Sequence, residues 1–289
     1  MSMPEGMGAP VLVGGSGTRR GAPRVGAEFA TDDRHGHDNG RSADGVYGID
    51  HRMVDSVHTV PSGNIRGVGG VAEVVRPMLE AVAEPGRAPA MAAYMKGIAP
   101  YLGVPTPARR AATRAWIRAF APGPDAADLL GAAHDLVTEP EREFAYLAVD
   151  LTARHERALP ESSLPALRDL ALERPWWDTV DAWSTLIGRV GMRHRSWDPE
   201  VARWASDPRL WVRRIALVFQ VGRREAVDLD LLFAACEANL ADHDFFMRKS
   251  IGWGLRDAAR THPQEVRAFV EGNRSAMSGL SIREATKHL

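Results

Sequence analysis

Cysteine is nearly absent from this sequence, since Cys236 is the only one among 289 residues. One cysteine cannot form an internal disulfide, which indicates a reducing compartment. Its neighbours from Leu231 to Ala235 are apolar, so we expect Cys236 to lie in the core. Long apolar runs are also missing: none approaches the roughly 20 residues of a membrane span, and the apolar stretch 10–13 is too short for a signal peptide. These absences predict a soluble, cytoplasmic protein.

An excess of charge of one sign is missing too. The formal net charge is −1, and residues 71–289 carry 29 Lys and Arg against 29 Asp and Glu. A basic surface would therefore have to arise from segregation of the charges. Two cationic rows could provide it, although such rows are usually solvated faces. The rows are Arg110, Arg114 and Arg118 on one predicted helix, and Lys249, Arg256 and Arg260 on another.

Alternating β-branched runs, which are typical of strands, do not occur, so the sequence predicts an all-α chain. Helices are predicted to begin at a constant step of 35 residues, near Thr106, Glu141, Trp176, Trp211 and Phe246. Each step also holds a second helix, such as 161–173 or 228–240. This period predicts a helical-repeat solenoid, and the absence of tetratricopeptide and ankyrin consensus residues favours a HEAT-like stack. Such a stack presents a concave face suited to a long partner.

Residues 1–70 differ in amino-acid composition from the rest of the chain. They hold 15 of the 27 glycines and none of the eight tryptophans. They also lack a sustained helical or alternating period, which is typical of disorder. We therefore predict a disordered, Gly-rich N-terminal tail over 1–70 and a folded domain over 71–289.

Trp177 and Asp181 are predicted to lie away from the core side of their own helix. On a wheel of about 100° per residue, the core stripe of 176–190 consists of Trp176, Val180, Trp183, Ile187 and Val190. Trp177 and Asp181, four residues apart, share another face. An aromatic ring beside a carboxylate suits a site that receives a flat or cationic group. The alternative is that Trp177 packs under a neighbouring helix and Asp181 pairs with an arginine.

The same construction places further side chains off the core in the next two repeats. In 211–219, Arg213 points away from the apolar stripe and Arg214 falls on its flank. In 244–260, Trp253 lies opposite the stripe, on the side of the second cationic row. Aromatic rings together with guanidinium groups fit nucleic acid. The alternative is that the inner helices of a solenoid are buried on two sides. Aromatic residues on the second buried side would then also lie off the main apolar stripe.

With these residues the chain resembles the AlkD-like DNA glycosylases of the DNA alkylation repair family, over roughly 71–289. The resemblance rests on the order and spacing of several blocks. They are Met91-Ala92-Ala93-Tyr94-Met95-Lys96, Thr106-Pro107-Ala108-Arg109-Arg110, Glu141-Arg142-Glu143-Phe144, Trp176-Trp177-Asp178-Thr179-Val180-Asp181, Trp211-Val212-Arg213-Arg214, Phe245-Phe246-Met247-Arg248-Lys249-Ser250-Ile251-Gly252-Trp253 and Arg283-Glu284-Ala285-Thr286-Lys287-His288.

The resemblance implies a HEAT-like solenoid that binds double-stranded DNA in its concave face and excises N3- or N7-alkylated purines. By the same resemblance, Trp177, Asp181 and Trp253 are the groups at the lesion. Arg214 would contact the backbone phosphate beside it, and Tyr94 would line the same groove.

The cationic rows complete the expected DNA interface, with Arg110, Lys249 and Arg256 as backbone contacts. The folded part shows no His, Cys or Asp cluster with metal-ligand spacing, so we expect neither a metal nor another cofactor. We expect a monomer that associates with the nucleoid in the cytoplasm.

Asp181 suits glycosidic hydrolysis because a carboxylate stabilises the positive charge that develops on the deoxyribose. The rival reading is a non-catalytic HEAT-repeat module that binds DNA structure or another protein. The presence of the whole constellation favours the enzyme. A HEAT-repeat metal hydroxylase would need repeated His-Glu pairs, and the folded part holds one, His155-Glu156.

Overall fold

The computed structural model describes residues 70–120 and 126–289, and these two ranges contain thirteen α-helices and no strand. The helices are α1 (Val71–Glu80), α2 (Ala88–Tyr94), α3 (Thr106–Ala119), α4 (Ala127–Thr138), α5 (Arg142–Arg154), α6 (Leu164–Leu172), α7 (Trp177–Gly191), α8 (Trp197–Arg203), α9 (Leu210–Val218), α10 (Leu229–Glu237), α11 (Phe245–Ala258), α12 (Pro263–Gly272) and α13 (Gly279–Ala285). The all-α prediction is confirmed. The predicted tail over 1–70 lies outside the described residues, apart from Gly70.

The 35-residue step of the sequence corresponds to a row of helices. The five helices of the predicted series begin at Thr106, Arg142, Trp177, Leu210 and Phe245, each within one residue of its predicted start. Successive members pack side by side, from α3 through α5, α7, α9 and α11 to α13, and each of α5, α7, α9 and α11 also packs on the helix before it. This is the packing expected of an α-helical repeat fold. Concavity of the shared face stays a prediction.

The core stripes predicted for the repeated helices are largely confirmed. Val180, Trp183 and Ile187 of α7 are fully buried, as is Met247 of α11. Cys236 is fully buried as well, as its apolar neighbours indicated. Burial of such side chains, each contributing roughly 1.5–3 kcal/mol relative to exposure, is the main favourable contribution to folding here. Within the described ranges, no helix is long and apolar enough to cross a membrane.

The prediction that Trp176 belongs to the core stripe of α7 is wrong. Trp176 precedes the helix as its N-cap residue, with an extended backbone (φ −148°, ψ 162°). The 100° step of a helix therefore does not set the direction of its side chain. The ring is half-buried instead against Trp211 and Phe246, whose centroids lie 5.6 and 5.1 Å from its own. Trp211, which was also predicted for a core stripe, is likewise half-buried.

Ion pairs join successive helices of the row, and we call this series the ion-pair seam. Its pairs are Arg109–Asp150 between α3 and α5 (2.9 Å), Arg142–Asp178 between α5 and α7 (2.6 Å), Arg214–Asp181 between α9 and α7 (2.7 Å) and Lys249–Glu284 between α11 and α13 (3.0 Å). The first three pairs are largely buried, and separating such a pair leaves uncompensated charge, so they resist displacement of one helix against the next. Lys249 keeps 38% of its side chain exposed, so its pair contributes less.

Two glycines let the backbones of neighbouring helices touch. A Cβ atom at Gly188 of α7 would overlap the carbonyl oxygen of Phe219, just after α9. A Cβ atom at Gly254 of α11 would lie 2.7 Å from the carbonyl oxygen of Leu217 in α9. Neither space can hold even a methyl group without a shift of the main chain. The spacing of α7, α9 and α11 therefore depends on these two positions.

Candidate functional site

Asp181 and Arg214, which the sequence placed in separate roles, form a direct ion pair. The Arg214 guanidinium donates from Nε to Oδ1 of Asp181 (2.7 Å) and from Nη2 to Oδ2 (2.8 Å). Its Nη1 donates to the carbonyl oxygen of Phe246 (2.7 Å). The side chain of Arg214 is only 6% exposed and that of Asp181 is 18% exposed. Arg214 therefore lies between α7 and α11, and the pairing of Asp181 with an arginine, which the sequence left open, is the observed arrangement.

The environment of Asp181 also affects its protonation. Burial raises the pKa of the Asp181 carboxyl, while the hydrogen bonds and charge of Arg214 oppose that rise. The charge of Asp178, three residues earlier on α7, adds to the rise. The net result is a pKa above the usual range for aspartic acid, which is the direction expected when desolvation outweighs pairing. Perturbed carboxyls of this kind are frequent at functional sites.

Trp177 lies on the same side of α7 as Asp181 and meets Tyr94 from α2. The two ring centroids are 6.4 Å apart with an interplanar angle of 76°, an edge contact. Tyr94 remains 59% exposed, and Trp177 is half-buried. The structure thus brings together the tyrosine and the tryptophan that the resemblance assigned to one groove. Tyr94, with its 59% exposure, is the part of this aromatic pair that faces solvent.

Trp253 is half-buried and packs partly against the core, so it is less separate from the core than the wheel predicted. Its two cationic neighbours on α11, Lys249 and Arg256, both bind one carboxylate on α13, that of Glu284. Lys287 lies 3.3 Å from the same carboxylate. Burial opposes ionisation of Glu284, but Lys249 and Lys287 hold its pKa below the usual range. Three cations thus surround one anion beside Trp253.

Arg110 is the most accessible of the predicted DNA contacts. Its side chain is 64% exposed, with Nε 3.5 Å from Asp150. Arg114 and Arg118, the other members of its row, are exposed as well. The first cationic row is therefore a solvated face of α3, compatible with an anionic partner but not specific to one.

Sequence reasoning assigned no role to a group of polar residues beside Trp177. Arg142 is fully buried and donates to both oxygens of Asp178 (3.1 and 2.6 Å). The hydroxyl of Tyr146 donates to the same carboxylate (2.6 Å). The one available signal was the separation of Arg142 and Asp178 by 36 residues, close to one repeat. A buried arginine cannot be recognised from its own sequence environment, because its burial depends on a partner in another helix.

An aromatic cluster backs the Asp181–Arg214 pair. It consists of Trp176, Trp211 and Phe246, with the centroids of the last two 5.2 Å apart. The Cζ atom of Arg214 lies 6.0 Å from the centre of the Phe246 ring. The three rings belong to the beginnings of α7, α9 and α11, so they fix these helix ends around the ion pair. Apolar rings beside it limit the access of water, which strengthens the pairing.

The arrangement offers a carboxylate for stabilising positive charge, aromatic edges, and cations for an anionic partner. Within residues 70–120 and 126–289, no group of three or more His, Cys, Asp or Glu side chains is placed to hold a metal ion.

Two comparisons with known proteins point to the same family. The sequence model of the DNA alkylation repair enzyme family matches residues 75–289. Among solved structures, a predicted DNA alkylation repair enzyme from Enterococcus faecalis is 28% identical in sequence and superposes with a TM-score of 0.66. That match covers 72% of this chain and 96% of the other. No match was found among curated proteins.

Proposed function

Because the chain belongs to the DNA alkylation repair enzyme family, we propose that it is a DNA glycosylase that hydrolyses the N-glycosidic bond of N3- or N7-alkylated purines in double-stranded DNA. The family supports a role in DNA repair. The observation that carries the finer proposal is the carboxylate of Asp181, held by Arg214 on the face of α7 that also carries Trp177.

Asp181 is the proposed catalytic residue. Cleavage of the N-glycosidic bond builds positive charge on the deoxyribose, and a fixed carboxylate stabilises that charge without having to reorganise. The same oxygens can orient a water molecule for attack at the anomeric carbon. The two hydrogen bonds from Arg214 fix the direction of the carboxylate. They also weaken the negative electrostatic field of the carboxylate at the sugar. Arg214 therefore orients the carboxylate but lowers its electrostatic effect.

A general acid is not required by this chemistry. A purine alkylated at N3 or N7 is already cationic and leaves as a neutral base, so protonation of the leaving group brings little gain. The nearest other carboxylate on α7, that of Asp178, is occupied by Arg142 and Tyr146. One available carboxylate is therefore sufficient for the proposed reaction.

Arg214 is proposed to connect the ion pair to the DNA backbone. A guanidinium group has five N–H donors, and three of them are used by Asp181 and Phe246. The other two N–H groups are proposed to donate to a phosphate oxygen beside the lesion. A phosphate bound there would compete with Asp181 for positive charge and strengthen the field of the carboxylate at the sugar.

Trp177, Trp253 and Tyr94 are proposed to meet the cationic base or sugar with their rings. A cation over an aromatic face gains about 0.5–2 kcal/mol, depending on desolvation. Lys249, Arg256 and Arg110 are proposed to hold phosphates farther along the duplex, in the concave face predicted from the repeats. Each such contact adds affinity without sequence preference.

A base-release assay tests the proposal. The protein is incubated with duplexes that carry one N7-methylguanine or one N3-methyladenine, and free base and abasic sites are measured against the rate of spontaneous loss. We expect release from at least one duplex well above the spontaneous rate. Tight duplex binding without release from either would overturn the glycosylase assignment in favour of a non-catalytic DNA-binding module.

A further inference from the structure

Arg142 is a fully buried arginine on the first turn of α5, and its guanidinium group binds the start of α7. It donates to both carboxylate oxygens of Asp178 (3.1 and 2.6 Å). Two further bonds go to Oγ1 of Thr179 (2.8 Å) and to the carbonyl oxygen of Arg174 (2.8 Å). Trp177 lies between these acceptors in the chain, three residues after Arg174 and directly before Asp178. One side chain therefore holds the chain both before and after Trp177.

The chain enters α7 in a conformation that needs such support. Arg174 has a φ of +45°, in the left-handed region that residues other than glycine rarely adopt. Its carbonyl oxygen accepts the bond from Arg142, and its own guanidinium group donates to the carbonyl oxygens of Glu139 and Pro140, which follow α4. A strained residue persists where its surroundings fix it from several sides, and such residues are frequent at functional sites. Loss of the bond from Arg142 would let Arg174 relax and would change the direction in which the chain enters α7.

The contribution of Arg142 is direction rather than net stability. A buried ion pair gains little over well-packed apolar side chains, because the desolvation of two charges offsets their attraction. A planar guanidinium group, however, holds its acceptors at fixed angles, which apolar contacts do not. The carboxylate of Asp178 is held further by the hydroxyl of Tyr146, which donates to it (2.6 Å). These bonds restrict rotation of the first turn of α7 about the helix axis.

Two proposed site residues depend on the rotation of that turn. Trp177 is the first residue of α7, and Asp181 follows four residues later on the same side of the helix. They are separated by about 6 Å along the axis, so a rotation of the first turn moves the ring and the carboxylate together. A displacement of about 1 Å at a reacting group can lower a rate by about a hundredfold.

We propose that Arg142 is a positioning residue that fixes the first turn of α7 and thereby the directions of Trp177 and Asp181 in the catalytic site. This inference rests on the proposed glycosylase function. Arg142 is fully buried, so it acts only through the chain that it holds. Its effect therefore belongs to the chemical step and not to the affinity for DNA.

Arg223 provides a matched control at the other end of α7. It is also buried, donates to both oxygens of one carboxylate, that of Asp198 (2.9 Å each), and donates to a main-chain carbonyl of α7, that of Gly188 (3.0 Å). Gly188 follows Asp181 by seven residues, about 10 Å farther along the helix. Arg223→Lys therefore removes the same kind of contact from the same helix, away from the proposed site.

The test compares Arg142→Lys with Arg223→Lys in thermal melting, in binding to undamaged duplex, and in single-turnover release of N7-methylguanine at saturating protein. We expect both variants to melt below the wild type. Arg142→Lys should lower the saturating rate on the order of tenfold to a hundredfold and keep the wild-type affinity, whereas Arg223→Lys should keep both. An unchanged rate for Arg142→Lys, an equal loss of rate in Arg223→Lys, or a loss of affinity in place of rate would overturn the proposal.

Thr179→Val is a milder variant that decides the question if Arg142→Lys does not fold. It removes one acceptor of the guanidinium group and nearly keeps the shape of the side chain, so we expect a smaller loss of rate in the same direction. Thr152→Val on α5 is its control, because Thr152 is also buried and donates to the carbonyl oxygen of Ala148 (2.8 Å), away from α7. A wild-type rate in Thr179→Val, or an equal loss in Thr152→Val, would contradict the positioning role.

A second readout does not depend on excision. Duplexes that carry a cationic pyrrolidine or a neutral tetrahydrofuran in place of one nucleotide compare binding of a positive charge with binding of an uncharged ring of similar shape. A correctly directed Asp181 should give the wild type a preference for the pyrrolidine duplex. Arg142→Lys should lose most of that preference, and Arg223→Lys should keep it.

The two readouts separate the two proposals. Loss of the preference in Arg142→Lys, together with no excision by the wild type, would contradict the glycosylase alone. A preference that Arg142→Lys retains in full would contradict the positioning role alone. A wild type without the preference and without excision would contradict both.

Discussion

The carboxylate of Asp181 accepts two parallel hydrogen bonds from the guanidinium group of Arg214, at 2.7 and 2.8 Å. This pair connects neighbouring repeats, because the two residues lie 33 positions apart on α7 and α9. A residue proposed for chemistry and a residue proposed for DNA binding are thus each other's partners. A substitution of either one changes the charge and orientation of the other.

The first prediction concerns the coupling of this pair. Asp181→Asn should keep the fold and most of the DNA affinity but reduce excision by orders of magnitude, because it removes charge with little change in shape. Arg214→Ala should also lower stability, by less than the roughly 3–5 kcal/mol of a fully buried pair, since Asp181 keeps 18% of its side chain exposed. A double-mutant cycle in urea should give a coupling energy of about 0.5–3 kcal/mol. Additive changes in the free energy of unfolding would contradict the coupling of the pair. Near-normal excision by Asp181→Asn would contradict the catalytic role of Asp181.

The second prediction concerns pH. Asp181 must be ionised to stabilise positive charge, and burial raises its pKa above the usual value while Arg214 opposes the rise. As the pH falls through this raised pKa, the carboxylate gains a proton and excision is lost. The acid limb of the single-turnover rate should therefore lie above the ordinary aspartate value of about 3.9. The limb should disappear in Asp181→Asn, and its persistence there would assign it to another group.

The third prediction separates tryptophans of the site from one of the core. Trp183→Ala should lower stability by roughly 3–5 kcal/mol, because its ring is fully buried. Trp177→Ala should cost clearly less and lose more excision than stability, since the ring is half-buried. Trp253→Ala should fall between them because it packs partly against the core. Thermal melting and excision of N7-methylguanine measure both effects. A melting loss for Trp177→Ala equal to that of Trp183→Ala would contradict the site assignment.

The fourth prediction concerns the cations beside Trp253. Lys249→Ala and Arg256→Ala should each weaken binding to undamaged duplex and flatten the slope of log K against log salt by about 0.9. Arg274→Ala is the matched control, because Arg274 pairs with Glu271 near the end of α12 and its side chain is 59% exposed. Its slope should stay at the wild-type value. Unchanged slopes in the α11 variants would mean that Glu284 engages these cations fully.

The repeat pattern of the fold could be read from the sequence because it depends on local periodicity. Apolar residues recur at helical spacing, and the helices recur every 35 residues, so five helix starts were predicted to within one residue. The same periodicity gave the face of Trp177. It failed for Trp176, where an error of one residue in the start of α7 moved a ring from the core to the aromatic cluster.

The ion-pair seam could not be read in the same way. A helical wheel gives the direction in which a side chain points about the axis of its helix. It does not give the axial position of the neighbouring helix, so it cannot identify the partner of that side chain. The wheel places Arg214 on the flank of its apolar stripe, and that direction fits a phosphate and the carboxylate of Asp181 equally well. Arg142 is harder still to predict, because arginine side chains are mostly exposed. Its full burial is explained by its ion pair with Asp178 on the neighbouring helix.

The contact at Gly188 makes the electrostatics of the site depend on main-chain sterics. The carbonyl oxygen of Phe219 occupies the space that a side chain at residue 188 would need. Backbone atoms have no rotamers with which to relieve a clash, so Gly188→Ala would act as a wedge between α7 and α9. Those are the helices that carry Asp181 and Arg214. Adding one methyl group, about two turns from the carboxylate, would lengthen the ion pair, and the coupling energy measured between its two members would fall.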